Sequence, residues 1–219
     1  MTKIKHFNFF KLLPRYTSVA ALIGVGCLIA QKPAYAHHPM GGNVPSNFFE
    51  GFLSGLAHPL IGLDHFAFVI AIGLLAVGQV QGALIPAGFV LAAMVGTGIH
   101  LLSVDLPVTE IIIAVSAIAF GAMLVKQNKP NWILQMVLGA IAGLFHGYAY
   151  GEAIIGAGMT PLFAYLLGFT LIQYGVAFGA FRFGSAAIGK FNTQPLSFLQ
   201  LAGLAISSIG VVFLASSIS

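Results

Sequence analysis

"GLAHPLIGLDHFAF", residues 55–68, sets two histidines and an aspartate inside a run of residues suited to hydrocarbon. The apolar run extends from 48 to 79, longer than the roughly 20 residues one straight span needs to cross a bilayer. Asn47 followed three residues later by Glu50 has the pattern of a capping box. Pro59 disfavours helical geometry at His58, and Gly62 loosens the next turn. These signals predict a half-helix over 46–57, a break at 58–62 and then a full span. One long tilted helix kinked at Pro59 is the alternative. Broken backbone at membrane depth is tolerated where it is buried in protein or lines a cavity.

Outward from this stretch the chain stays apolar. Of 219 residues, 58% are hydrophobic and 6% charged, against about 25% charged in a soluble domain, so composition alone points to an integral membrane protein. Apolar segments at 61–79, 82–102, 107–125, 131–150, 160–182 and 196–216 are each near the length of a spanning helix. The clearest loops are "KQNKPN" (126–131) and "GKFNTQP" (189–195). The expected fold is all-α, a single six-helix transmembrane domain over 37–219 with its first helix broken. Gly139, Gly143, Gly147 and Gly151 form a smooth ridge suited to close helix approach, and Gly175 and Gly179 a shorter one. "GLAH" (55–58) and "GLFH" (143–146) hint at a three-plus-three repeat. An inverted repeat would put equivalent sites on opposite sides, whereas both histidines fall on one.

Lys3, Lys5, Lys11 and Arg15 precede the short apolar stretch "TSVAALIGVGCLIA" (17–30) and the small-residue site "AYA" (34–36). This reads as a signal peptide over 1–36, cut after Ala36, with a retained anchor or a lipoprotein cut before Cys27 as rivals. Cleavage leaves four basic residues, Lys126, Lys129, Arg182 and Lys190, against five acids, a formal charge of −1. The basic pI belongs to targeting and gives no reason to expect nucleic acid. The only cysteine leaves with the leader, which excludes disulfides and thiolate sites. With residue 37 outside the inner membrane, every remaining Lys and Arg falls in the cytoplasm, as the positive-inside rule expects.

On that topology His37, His38, His58, Asp64, His65, His100, Glu110, His146 and Glu152 all lie on the outer half. Ionisable groups inside a bundle are expensive, roughly 2.5–3.5 kcal/mol for Asp at a helix centre, and mark pathways. Imidazole and carboxylate without thiolate suit nickel, zinc, copper or cobalt. His58 and His65 share a face if the helix continues, and Asp64 either ligates or orients an imidazole. His146 and Tyr150, four apart, share a face beside the glycine ridge. The new N-terminus "HHPM" can chelate an ion through its amine, His37 and His38, with Met40 as a soft donor. For each histidine the plain alternative is a helix–helix hydrogen bond, weightiest for His100. Glu110 reads as interfacial, and Glu152 is the better functional candidate of the two.

At these residues the sequence resembles the HupE/UreJ family of nickel permeases, associated with hydrogenase and urease systems. His58, Asp64 and His65 match the family's H-x5-D-H pattern in full. The second pattern, F-H-G-x-A-H-G-x-E, is met in part by "FHGYAYGEA" (145–153). Phe145, His146, Gly147, Ala149 and Gly151 agree. Tyr150 stands where the second histidine belongs, and Glu152 comes one place early, with Ala153 at the acid's position. A phenol ligates poorly near neutral pH, so this departure puts affinity and ion preference in question.

The resemblance implies a secondary permease that imports nickel or cobalt, with zinc and copper as other cargoes, and no resident cofactor. No Walker motif is present. The metal residues expected are His58, Asp64, His65, His146, His37, His38, Glu152 and His100. Two rival readings share these residues: an intramembrane zinc-dependent hydrolase with Asp64 or Glu152 as base, and a metal-sensing or metallochaperone membrane subunit. The expected partners are a divalent metal ion and membrane lipid. A homo-oligomer and metalloenzyme maturation proteins stand as further candidates.

Overall fold

The computed structural model describes residues 43–126, 128–191 and 198–218; the expected signal peptide over 1–36, His37 and His38 lie outside the described residues. Among the described residues there are seven α-helices and no strand. They are α1 (Phe48–Ile61), α2 (Leu63–Leu75), α3 (Leu84–Leu101), α4 (Thr109–Val125), α5 (Trp132–Gly151), α6 (Met159–Phe191) and α7 (Phe198–Ser217). A short 3-10 turn, Glu152–Ile154, prolongs α5.

The start of α1 follows its sequence. The Asn47 side chain accepts the Glu50 N–H at 3.0 Å, while the Glu50 carboxylate accepts the Ser46 N–H and hydroxyl at 2.8 and 2.9 Å. The reciprocal bond of the capping box thus reaches one residue further back than usual. The break differs from expectation. α1 runs through His58 and Pro59 to Ile61, and only Gly62 is non-helical, with φ −72° and ψ 104°. There the chain bends by 81° into α2. Proline in a last turn forfeits one hydrogen bond, here to the Gly55 carbonyl. Packing explains why the turn survives: Cβ atoms on Gly51 and Gly55 would collide with the Pro161 and Tyr165 carbonyls, so α1 lies tight on α6. His58 and His65 therefore do not share one helical face; they approach from either side of a bend.

Four helices, α3, α5 with its 3-10 turn, α6 and α7, are long and apolar enough to cross a membrane. The bent pair α1–α2 adds a fifth, and α4 is a shorter apolar helix of 17 residues. Among the described residues helix covers most of each expected segment, and the chain is a membrane protein, with four helices, or five spans counting the bent pair, long and apolar enough to cross. α6 continues past the expected end at 182 to Phe191, so residues 183–191, read as loop, are helical; no proline intervenes before Pro195. Its 33 residues give about 50 Å of helix at 1.5 Å per residue.

Three tight helix pairs surround α2. α1 packs on α6 through Gly51, Gly55 and Gly168. α3 packs on α5, where Gly143 and Gly147 face the Phe89 and Ala93 carbonyls and Gly96 faces that of Leu144. α4 packs on α7 through Gly121, Gly203 and Gly210. Missing side chains let backbones approach, which is how helices associate where lipid removes the hydrophobic drive. Gly139 instead faces Ile72 of α2, and the expected ridge at Gly175 and Gly179 has no described residue against it. α2 buries ten of its thirteen residues, touches helices of all three pairs, and carries Asp64 and His65 in its first turn.

Candidate metal site

The two helices that meet at Gly62 bring their polar residues to α5 and α6. His65 of α2 and His146 of α5 face each other with their Nδ1 atoms 2.9 Å apart. The far nitrogen of His146, Nε2, lies 3.1 Å from the Ser116 hydroxyl on α4, which donates to the Ile113 carbonyl at 2.7 Å. Across the pocket His58 Nδ1 is 3.0 Å from the Tyr165 hydroxyl of α6, which donates to the Tyr150 carbonyl at 2.8 Å. The Tyr150 ring stands between the two groups, its centroid 5.1 Å from that of His58 and 4.6 Å from that of His65. Phe169 braces it from α6 at 5.4 Å. His58, Asp64, His65, His146, Tyr150 and Tyr165 are all buried.

Among the described residues, several oxygens around these rings have no hydrogen-bond partner: Asp64 Oδ1, the Tyr150 hydroxyl and, one turn before His58, Ser54 Oγ. Neither the Asp64 Oδ1 nor the Tyr150 hydroxyl is hydrogen-bonded among the described residues. An orphaned buried polar atom costs about 1–3 kcal/mol. A carboxylate oxygen and a phenol oxygen with no partner among the described residues suit a hydrated cation, whose waters can donate to both.

The floor of the pocket is aromatic. Phe68 stacks on the His146 ring at 4.3 Å, Phe89 meets that ring edge-on at 5.8 Å, and Phe120 lies 4.8 Å from Phe68. All three are buried, and Ile72, Leu75, Ile85 and Leu124 continue the same core. The His146 ring sits five residues before the end of α5, about 7 Å below it.

The other expected residues are elsewhere. His100 Nδ1 lies 2.7 Å from the Tyr148 carbonyl, with its ring against that of Tyr148, in the α3–α5 seam. Glu110 and Glu152 are exposed. Among the described residues no three of His, Cys, Asp or Glu are arranged to hold one metal ion. His65 and His146 converge; among the described contacts, His58 is linked to them through Tyr150 and Tyr165. Ser116 and Tyr165 escaped the sequence reading. Ser116 is the one hydroxyl between Ile111 and Val125, a weak signal, because serine is common and cheap at helix interfaces in a membrane. Tyr165 had only its register, four residues before Phe169 and eight before Gln173 on one face of α6.

A sequence profile described as "HupE / UreJ protein" matches residues 25–213. "Protein HupE" of Rhizobium leguminosarum bv. viciae is 31% identical over 160 residues, covering 70% of this chain and 81% of that protein. No solved structure matches.

Proposed function

The chain belongs to the HupE/UreJ family, and from that premise we propose that it is a secondary permease of the inner membrane that imports nickel or cobalt. The ion binds in the pocket of His58, Asp64, His65 and His146 at the outer end of the bundle. His37 and His38, on a mature N-terminus outside the membrane, deliver it there. Lys126 and Lys129 between α4 and α5, and Arg182 and Lys190 towards the end of α6, belong to the opposite end, which supports this orientation. Hydrogenase or urease maturation proteins are the expected receivers of the metal.

The observation that carries the reading is the buried pair His65–His146 beside a buried Asp64 oxygen with no partner. A protein that only needed to fold would not keep a carboxylate there. On this reading the aromatic layer under His146 belongs to an outward or occluded state, and passage requires Phe68, Phe89 and Phe120 to separate. A partial, water-retaining site suits transport, because an ion must leave as well as enter.

One observation favours a second reading. Below the floor the core of α2 and α4 is apolar, as expected of a subunit that holds metal without passing it. Uptake into liposomes separates the two. The reconstituted full chain should accumulate nickel or cobalt, and Asp64→Asn and His58→Ala should reduce the initial rate at least a hundredfold. Tight binding with no flux of nickel, cobalt, zinc or copper would overturn the permease reading and leave the metal-holding one.

A further inference from the structure

Glycines in this chain serve different ends, and Gly62 stands apart from the rest. Gly78 and Gly156 have φ of 79° and 81°, where an added side chain is strained. Gly51 and Gly55 lie against backbone atoms of α6. Gly62 has φ −72° and ψ 104°, extended backbone that any residue adopts. Its N–H reaches the His58 carbonyl at 3.4 Å and its carbonyl accepts the Phe66 N–H at 2.8 Å; neither bond needs a glycine. A side chain here would instead meet the pocket. The three heavy atoms nearest to a Cβ on Gly62 are His65 Cδ2 at 2.7 Å, Asp64 Oδ1 at 3.3 Å and His65 Cγ at 3.5 Å. Gly62 is itself buried, and the edge of the His65 ring takes up the place of its missing side chain.

We propose that Gly62 is a positioning residue of the pocket: its bare Cα seats the His65 ring against His146 and leaves Asp64 Oδ1 uncovered. The proposal rests on the permease reading for the identity of the ion, and deepens it by giving the glycine of the bend a part in the site. His65 is also held by the 2.9 Å contact of its Nδ1 with that of His146 and by the Tyr150 ring at 4.6 Å. A Cβ at position 62 forces the His65 ring to turn, and a directed bond of that length tolerates little rotation. The fold itself should suffer little, because the atom that must move belongs to a side chain and not to backbone. The start of α2 points the same way. Gly62 is its N-cap and supplies no side-chain bond, whereas serine or aspartate there would accept a first-turn N–H. Helix stability alone would favour one of those residues.

Gly62→Ala and Gly62→Ser in the detergent-solubilised full chain test this without transport. Both should unfold within a few degrees of the wild type, and Gly62→Ser at or above it, since serine caps α2 and the unfolded chain loses freedom. Imidazole nitrogen NMR of the metal-free protein should show coupling across the His65–His146 bond in the wild type and its loss in both variants. Nickel affinity by calorimetry should fall about tenfold or more in both, the usual effect of disturbing a ligand's orientation. Gly175→Ala, at a glycine with no described residue against it, should change none of the three readings. Retained coupling and wild-type nickel affinity in Gly62→Ala would overturn the proposal. So would unfolding of both variants as early as Gly55→Ala, whose new Cβ meets the α6 backbone, because Gly62 would then serve the bend and not the ring. Loss of the coupling in both variants of a protein that binds no nickel would overturn the permease reading and leave Gly62 as the seat of His65.

Discussion

The polar end of the bundle and its apolar half are built from the same helices. On α2 the buried series runs His65, Phe68, Ile72, Leu75; on α4 it runs Ser116, Phe120, Leu124; on α6 it runs Tyr165, Phe169, Gln173, Ala177. Each stripe passes from polar or phenolic to aromatic and then, Gln173 apart, to small or aliphatic within about three turns. At the polar end, positions are set by single directed hydrogen bonds, and several oxygens are left over. In the apolar half they are set by dense contact among rings and branched chains. Directed bonds specify which atom faces an ion, and close packing specifies that nothing passes. A carrier needs both, and here the two layers lie one helical turn apart, about 5 Å.

The largest effect should come from the scaffold that both layers share. A Cβ on Gly147 would collide with the Ala93 backbone, and the Gly147 carbonyl accepts the Thr97 hydroxyl at 2.8 Å. Gly147→Val should separate α3 from α5, cost more than about 4 kcal/mol and leave little folded protein on size-exclusion in detergent. Gly175→Ala, at a glycine with open space around it, should stay within about 0.5 kcal/mol of wild type. Next comes the floor. Phe120→Ala removes one ring of three, at a cost of about 3–5 kcal/mol. Nickel entry into liposomes should then rise in proportion to nickel concentration instead of saturating. Saturable uptake in that variant would mean that the barrier is not the phenylalanine layer.

The glycines also mark how far the sequence could be read. The ridge on α5 is legible because small residues at steps of four leave a visible stripe, and three of its four members lie against α3. The pairing of α4 with α7 is not, because Gly121, Gly203 and Gly210 are too few on each helix to form a pattern. The helical segments follow from apolar length, which periodicity and composition report directly. The bend falls at Gly62, the last residue of the expected break, but the first helix runs four residues past its expected end at 57, because the Pro59 signal is local while the contact of Gly55 with α6 is not. In the pocket, residue types that are costly in lipid could be read from the sequence: His58, Asp64, His65 and His146. What could not be read was who touches whom. A break of 81° replaces the expected shared face with a meeting of two helices, and hydroxyls such as Ser116 cost too little in a membrane helix to attract notice.

Tyr150 is the position where the polar end is most open to change. Its ring touches both His58 and His65, and its hydroxyl is buried without a partner. Tyr150→His puts a further imidazole between His58 and His65. Nickel binding should tighten about tenfold by calorimetry, and the maximal uptake rate should fall by a similar factor as release slows. Tighter binding with faster uptake would mean that release does not limit turnover.

The smallest expected effect lies in the apolar half, at its polar exception. Gln173 is fully buried on α6; its amide nitrogen makes a long 3.4 Å bond to the Phe169 carbonyl, and Oε1 has no partner. Gln173→Leu removes that orphan, so the variant should be more stable by about 1–3 kcal/mol, read as a raised unfolding temperature in detergent. If the amide oxygen serves as a stepping stone below the phenylalanines, nickel uptake should fall a few-fold while affinity at the polar end stays unchanged. Gained stability with unchanged uptake would place the ion's route away from α6, on the side of α2 that faces α4. That outcome would sharpen the contrast between the two layers, since the half below the floor would then contribute closure and no ligand.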